Sequence, residues 1–200
     1  MSRIGSRGVA ERFAGLPSAR AALAFACARH VGQQRAVDGA PFVRHPIEVG
    51  LLLHAAGYPD DVVAAGLLHD VLERTETVGV ELDRRFGARV AHLVATLSED
   101  PSIAEYGERK RELRERVEHA GSDALAIFAA DKIAKVRELA PLQPWRLRSH
   151  DTQAKLAHYR ACGELLRRVA PDVRLVERLN AELDQLGERA SARVTASAPL

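Results

Sequence analysis

Four residues of this chain carry the donor atoms that divalent metal ions take: His45, the adjacent pair His69-Asp70, and Asp131. His69-Asp70 closes the apolar run VVAAGLL, and Asp131 stands inside AIFAADKIA. A carboxylate among such neighbours is costly unless it is paired or binds a cation. One imidazole and two carboxylates, with His45 adding a second imidazole, make two nitrogen and two oxygen donors. With room left for water, that set suits a six-coordinate divalent ion such as Mn²⁺ or Fe²⁺ better than a closed tetrahedral zinc site. Each residue has a plainer reading when taken alone. His45, just before Pro46, fits a helix start or a surface position, and Asp131 fits a partner for a neighbouring lysine or arginine. Their joint occurrence in this order is what points to a metal centre.

The elements that must position these residues read as helices throughout. Alanine, leucine, arginine and glutamate dominate the 200 residues, which favours helix over sheet. Helices are predicted over 18–34, with Ser18 as cap after Pro17, over 46–56, ending at Gly57, and over 60–73, restarted by Pro59-Asp60. The helix over 60–73 is apolar around its circumference, as a helix central to a bundle is. VELDRRFGARVAHLVATL divides at Gly87 into two helices, and YGERKRELRERVEHA is a charged one. SDALAIFAADKIAKVREL is apolar through most of its turns, with Ser122 as its cap. After a loop at PLQPW, two amphipathic helices cover 150–169 and 172–188. One helical domain, 18–188, is thus expected between a flexible segment, 1–17, and a disordered tail, 189–200.

Charge and composition narrow the function classes. The 29 basic and 27 acidic residues nearly cancel, so no global field draws the chain to a nucleic acid polymer or a membrane. Any anion binding must be local. No apolar stretch reaches the ~20 residues of a membrane span, and no signal peptide is visible. Cys27 and Cys162 lie far apart outside any CxxC, so both read as small buried hydrophobes in a reducing cytoplasm. The apolar faces of the C-terminal helices leave two fates open: pairing with a second copy, or closing the domain's own core.

The order H…HD…D in a helical chain resembles the HD superfamily of metal-dependent phosphohydrolases. Within it, the chain is similar to the hydrolase domain of the Rel/Spo family and its small stand-alone (p)ppGpp hydrolases. The likeness is carried by GQQR…GAPFVRHPIEV, AAGLLHDVLERT, LDRRFGARVAHLVATLSED, ERKREL and AADKIAKVREL, with a weaker continuation through HYRACGELL. The resemblance implies an all-α fold, an HD-domain helical bundle, with His45, His69, Asp70 and Asp131 as ligands of a divalent metal, Mn²⁺ first among them. It implies a small phosphorylated nucleotide as substrate, and removal of the 3′-pyrophosphate of (p)ppGpp as the leading activity. Hydrolysis of another phosphorylated nucleotide, or phosphate binding without catalysis, are the alternatives. Glu73 lies one turn beyond His69-Asp70 on the same side of the helix, where it would orient or deprotonate the attacking water.

Three positions depart from the family pattern. Arg74 replaces the aspartate that follows the catalytic glutamate; it cannot shuttle protons, but it can clamp a phosphate or pair at the pocket rim. Lys135 replaces an asparagine associated with the substrate's sugar, which suggests altered recognition or added phosphate attraction. Arg35 matches one member of a basic pair that contacts the guanine, yet Ala36 and Val37 follow it. Lys110, beside Arg109, matches an element that brings positive charge to the pocket, and Lys132 would hold Asp131 or face a phosphate. Tyr159 corresponds to a tyrosine that closes the substrate pocket.

Overall fold

The computed structural model describes residues 6–191, all of them in helices, turns and loops apart from one isolated bridge between Gln34 and Pro41. The helices are α1 (Ser6–Glu11), α2 (Pro17–Arg29), α3 (Arg44–Ala55), α4 (Asp60–Leu68), α5 (Val71–Arg74) and α6 (Gly79–Phe86). They continue as α7 (Ala88–Leu97), α8 (Tyr106–Glu118), α9 (Ser122–Leu139), α10 (Pro144–Leu147), α11 (His150–Val169) and α12 (Arg174–Ser191). The expected flexible segment is ordered over part of its length: α1 forms, and Phe13 is fully buried in the core. Its first five residues lie outside the described residues, as does the expected tail from 192; residues 189–191 continue α12.

Two helices organise the bundle. Every residue of α4 from Val62 to Leu68 is buried, because α2, α3, α7 and α9 surround it. In α9, residues 124–134 are buried without interruption among α3, α4, α7, α8, α11 and α12. These are the two helices whose sequences lack a polar face. The amphipathic α12 lays Leu175, Val176, Leu179, Leu183 and Leu186 against α9 and α11, so its apolar face closes the core of its own chain.

Helix ends differ from expectation in ways that bear on the centre. Pro17 occupies the first turn of α2, which puts Ser18 inside the helix rather than at its cap. The free N–H groups of Ser18 and Ala19 instead donate to the Asp60 carboxylate, at 2.9 and 2.8 Å, so the start of α4 caps α2. Ser122 likewise opens α9 without capping it; Gly121, at φ 83°, holds the preceding turn. The first long helix ends at Arg29, not near 34, and residues 33–42 fold back on themselves through Phe42 N–H to Gln33 and Arg35 N–H to Ala40. That return delivers Phe42 to the start of α3. The PLQPW loop contains the single-turn α10.

Candidate metal centre

Close packing of α3 on α4 brings the two histidines together. Gly66 of α4 faces Leu53 of α3, and a Cβ there would lie 2.3 Å from the Leu53 Cδ1. Gly50 of α3 faces Leu67 of α4 in the same way, with 2.7 Å to Cγ. Two missing side chains let the helix axes approach, so His45 at the start of α3 meets His69 at the end of α4. The predicted continuous helix over 60–73 breaks at this point into α4 and α5, with His69 and Asp70 between them. His69 Nδ1 donates to the Gly66 carbonyl at 2.8 Å, the carbonyl that an unbroken helix would offer to the Asp70 N–H. The break turns both side chains of the pair toward α9.

Four side chains converge there. His45 Nε2 lies 3.3 Å from His69 Nε2, 3.0 Å from Asp131 Oδ1 and 3.5 Å from Asp70 Oδ2. His69 Nε2 lies 3.3 Å from Asp70 Oδ2 and 3.6 Å from Asp131 Oδ1. His45, His69 and Asp131 form the tightest group, and Asp70 stands within reach of both rings. All four residues are buried. Each carboxylate divides its work between its two oxygens: Asp131 Oδ2 accepts from Lys132 Nζ at 2.5 Å, and Asp70 Oδ1 lies 3.5 Å from Arg74 Nε. The other two oxygens, Asp131 Oδ1 and Asp70 Oδ2, are buried with no hydrogen-bond partner among the described residues. Orphaned carboxylate oxygens aimed at two imidazole nitrogens fit a divalent cation with positions left open for water.

The electrostatics agree with that fit. Burial alone would lower the His69 pKa, yet the Asp70 and Asp131 carboxylates override it and push it up to about 10. Burial also opposes ionisation of the two aspartates. His69 and Lys135 nevertheless hold Asp70 well below the usual carboxylate range, and Lys132 and the two histidines do the same for Asp131. In charge terms, a proton on His69 does at this point what a cation would do.

At the mouth, Glu73 Oε1 accepts the Glu99 N–H at 2.7 Å. Loss of hydration and the nearby Asp70 charge raise its pKa. The Arg74 guanidinium lies 4.4 Å over the Phe42 ring, and Lys135 Nζ lies 5.6 Å from the same ring.

A family model described as an HD domain matches residues 22–158. The guanosine-3′,5′-bis(diphosphate) 3′-pyrophosphohydrolase MESH1 of Mus musculus is 37% identical over 132 residues, covering 64% of this chain and 73% of the relative. The chain belongs to the HD-domain family. Its Aquifex aeolicus relative, also named guanosine-3′,5′-bis(diphosphate) 3′-pyrophosphohydrolase, is 33% identical over 58% of this chain and 17% of that protein. Among solved structures, a metazoan ortholog of SpoT, whose description says it hydrolyzes ppGpp, superposes with a TM-score of 0.72 at 26% identity. It covers 88% of this chain and 96% of the other. A Listeria monocytogenes protein superposes at 0.64 and 25% identity, over 74% and 98%.

An HD domain binds a divalent metal, and here the donor cluster falls on His45, His69, Asp70 and Asp131. Of the remaining predicted site residues, Glu73, Arg74, Lys132 and Lys135 stand at this HD centre. Lys110 is paired with Glu99, which also takes Arg109 Nε at 2.6 Å. Through Glu99 that basic pair reaches the Glu73 side of the mouth. Tyr159 is buried beside Lys132, and burial raises its pKa despite that charge. Arg35 is held by Asp38 through Nε at 3.0 Å and lies 3.6 Å from Glu138. Two residues escaped the sequence reading. For Phe42, nothing in the neighbouring sequence marks it as a platform for two cations. Glu138 had a usable signal: seven residues, two turns, separate it from Asp131, which puts both on one side of α9.

Proposed function

We propose that this protein is a Mn²⁺-dependent hydrolase that removes the 3′-pyrophosphate of guanosine-3′,5′-bis(diphosphate) in the cytoplasm, using His45, His69, Asp70 and Asp131 as metal ligands. The observation that carries the reading is the pair of orphaned, buried carboxylate oxygens facing two imidazole nitrogens, in a chain 37% identical to MESH1. Mn²⁺ suits a mixed nitrogen and oxygen donor set with open positions. Cytoplasmic action accords with two free cysteines, Cys27 and Cys162. A cation held by these four residues supplies Lewis acidity, which makes water a stronger acid and polarises the phosphoryl group.

The chain's own groups do the rest. Glu73, its pKa raised, is suited to take the proton from the attacking water, and the Glu99 N–H fixes its orientation. Lys132 keeps Asp131 ionised and aimed. Arg74 and Lys135, spread over Phe42, offer fixed positive charge at the rim for the leaving diphosphate. Lys110 and Tyr159 complete the wall, and Arg35 borders it from the loop. The departures at 74 and 135 favour one second reading, a nucleotide bearing more phosphate than the family's own substrate.

The test is pyrophosphate release from ppGpp, pppGpp and other phosphorylated nucleotides, with and without Mn²⁺. Manganese-dependent release from ppGpp is expected, with loss of both metal and activity in Asp131→Ala. Metal-loaded protein that leaves ppGpp intact but cleaves a more highly phosphorylated nucleotide would replace the first reading with the second.

A further inference from the structure

Three of the four donor residues have their second polar atom fixed by an identifiable partner. His69 Nδ1 has the Gly66 carbonyl, Asp131 Oδ2 has Lys132, and Asp70 Oδ1 has Arg74. His45 is the fourth. Its ring is fully buried, and its Nδ1 faces Glu138 Oε1 at 2.9 Å. The pair lacks straight hydrogen-bond geometry, and neither atom has another hydrogen-bond partner among the described residues. A buried imidazole nitrogen thus stands opposite a buried carboxylate oxygen, each without an alternative hydrogen-bond partner among the described residues.

The geometry points to Glu138 as the positioning residue of the metal centre. It holds His45 with its proton on Nδ1, so that the Nε2 lone pair faces Asp131 and His69. The inference rests on the metal-centre reading above. It follows from a general requirement: a histidine ligand presents one nitrogen only if the other is committed, and a carboxylate makes the ligating nitrogen more basic. His69 meets that requirement with a backbone carbonyl and His45 with a side chain.

Glu138 is itself held from outside. Arg35 Nη1 lies 3.6 Å from the same Oε1, and Arg35 is in turn gripped by Asp38. Asp38, Arg35 and Glu138 therefore form a chain of alternating charge that runs from the 33–42 loop and ends on the neutral His45 ring. Within it, Arg35 neutralises Glu138 rather than standing free for a nucleobase. The 33–42 loop, predicted to touch substrate, is thereby tied to ligand geometry.

Metal affinity separates this role from a merely structural one. Mn²⁺ binding would be titrated calorimetrically in the wild type and in His69→Ala, Glu138→Leu, Glu138→Gln, Glu138→Asp and Arg35→Met, with helicity checked for each. The Co²⁺-loaded proteins would be compared by visible absorption. Expected is a roughly 10- to 100-fold loss of Mn²⁺ affinity in Glu138→Leu, with an altered Co²⁺ spectrum. A smaller loss is expected in Glu138→Gln, whose amide still accepts, and partial recovery in Glu138→Asp. Arg35→Met should weaken binding several-fold without abolishing it. Wild-type affinity and spectrum in both Glu138→Leu and Glu138→Gln would overturn the inference while leaving the metal centre intact. If Glu138→Leu does not fold, Glu138→Gln decides alone. Failure of the wild type itself to bind Mn²⁺, or unchanged binding in His69→Ala, would remove the metal-centre reading and this inference with it.

Discussion

Glu73 sits in a different electrostatic setting from the two aspartates nearby, and the difference accords with the separate roles proposed for them. Asp70 and Asp131 are surrounded by cations and imidazoles that keep them ionised, whereas Glu73 faces Asp70 and Glu99 and has lost part of its hydration. A carboxylic acid with a raised pKa gives up its proton later as pH climbs, so a reaction that needs its anion gains rate at a higher pH than an ordinary glutamate would require. The pH–rate profile should therefore carry an acid limb from Glu73, which a cation at Asp70 would draw back toward lower pH, and Glu73→Gln should lack it. The same substitution should lower kcat by about 10²- to 10⁴-fold, the span for a general base. Bound Mn²⁺, measured directly, should not change. An acid limb that persists in Glu73→Gln would assign it to another group. At this scale His69, Asp70 and Asp131 stood out because their types are costly in apolar sequence, and His45 joined them through their common order in the chain. The orientation of each donor was not, since Gly66, Lys132, Arg74 and Glu138 act through distances of a few ångströms that no spacing rule expresses.

Between elements, two contacts decide whether the donors can meet. The first is the α3–α4 interface. Gly66→Ala would gain up to about 1 kcal/mol of helix propensity, but its methyl group would fall 2.3 Å from Cδ1 of Leu53, which is fully buried. Overpacking of this kind costs about 1–3 kcal/mol, so we expect net destabilisation in denaturant titration, together with weaker Mn²⁺ binding as His45 and His69 separate. Leu53→Ala combined with Gly66→Ala should restore part of the affinity; failure to do so would show that interhelical distance is not what the glycine provides. The second contact is the cap that α4 supplies to α2. Asp60→Ala removes the acceptor for two N–H groups at once and should cost about 0.5–2 kcal/mol, read from the urea midpoint with unchanged slope. Pro59-Asp60 suggested the start of a helix; that the carboxylate would serve a neighbouring helix was invisible, because the two segments are 42 residues apart.

For the molecule as a whole, the buried donor cluster is a local deficit that a bound cation would remove. Two carboxylate oxygens of the cluster, and Glu138 Oε1 beside it, are buried without a hydrogen-bond partner among the described residues, a cost that belongs to the folded state only. A ligand that binds the folded chain at a concentration 100-fold above its Kd contributes about 2.7 kcal/mol. For a domain of this size each kcal/mol shifts Tm by roughly 2–4 °C. Saturating Mn²⁺ should therefore raise the melting temperature by about 5–10 °C over chelator-treated protein, and Asp131→Ala should show no such rise. An equal rise in that variant would place the stabilising cation elsewhere.

Helical character, the two central helices α4 and α9, and the four donors could all be read along the chain. Local composition carries most of this: helix formers throughout, apolar residues on every side of two segments, and costly polar residues at His69-Asp70 and Asp131, which His45 joins through its order in the chain. The break of the predicted 60–73 helix at His69-Asp70 could not, because the side chain that takes the Gly66 carbonyl gains from reaching α9, a helix more than fifty residues on. The same holds for Arg35. The resemblance set it toward a nucleobase, and only the folded chain places its guanidinium between Asp38 and Glu138. Local sequence states what each residue can do, whereas burial and the choice of partner are properties of surfaces brought together by folding.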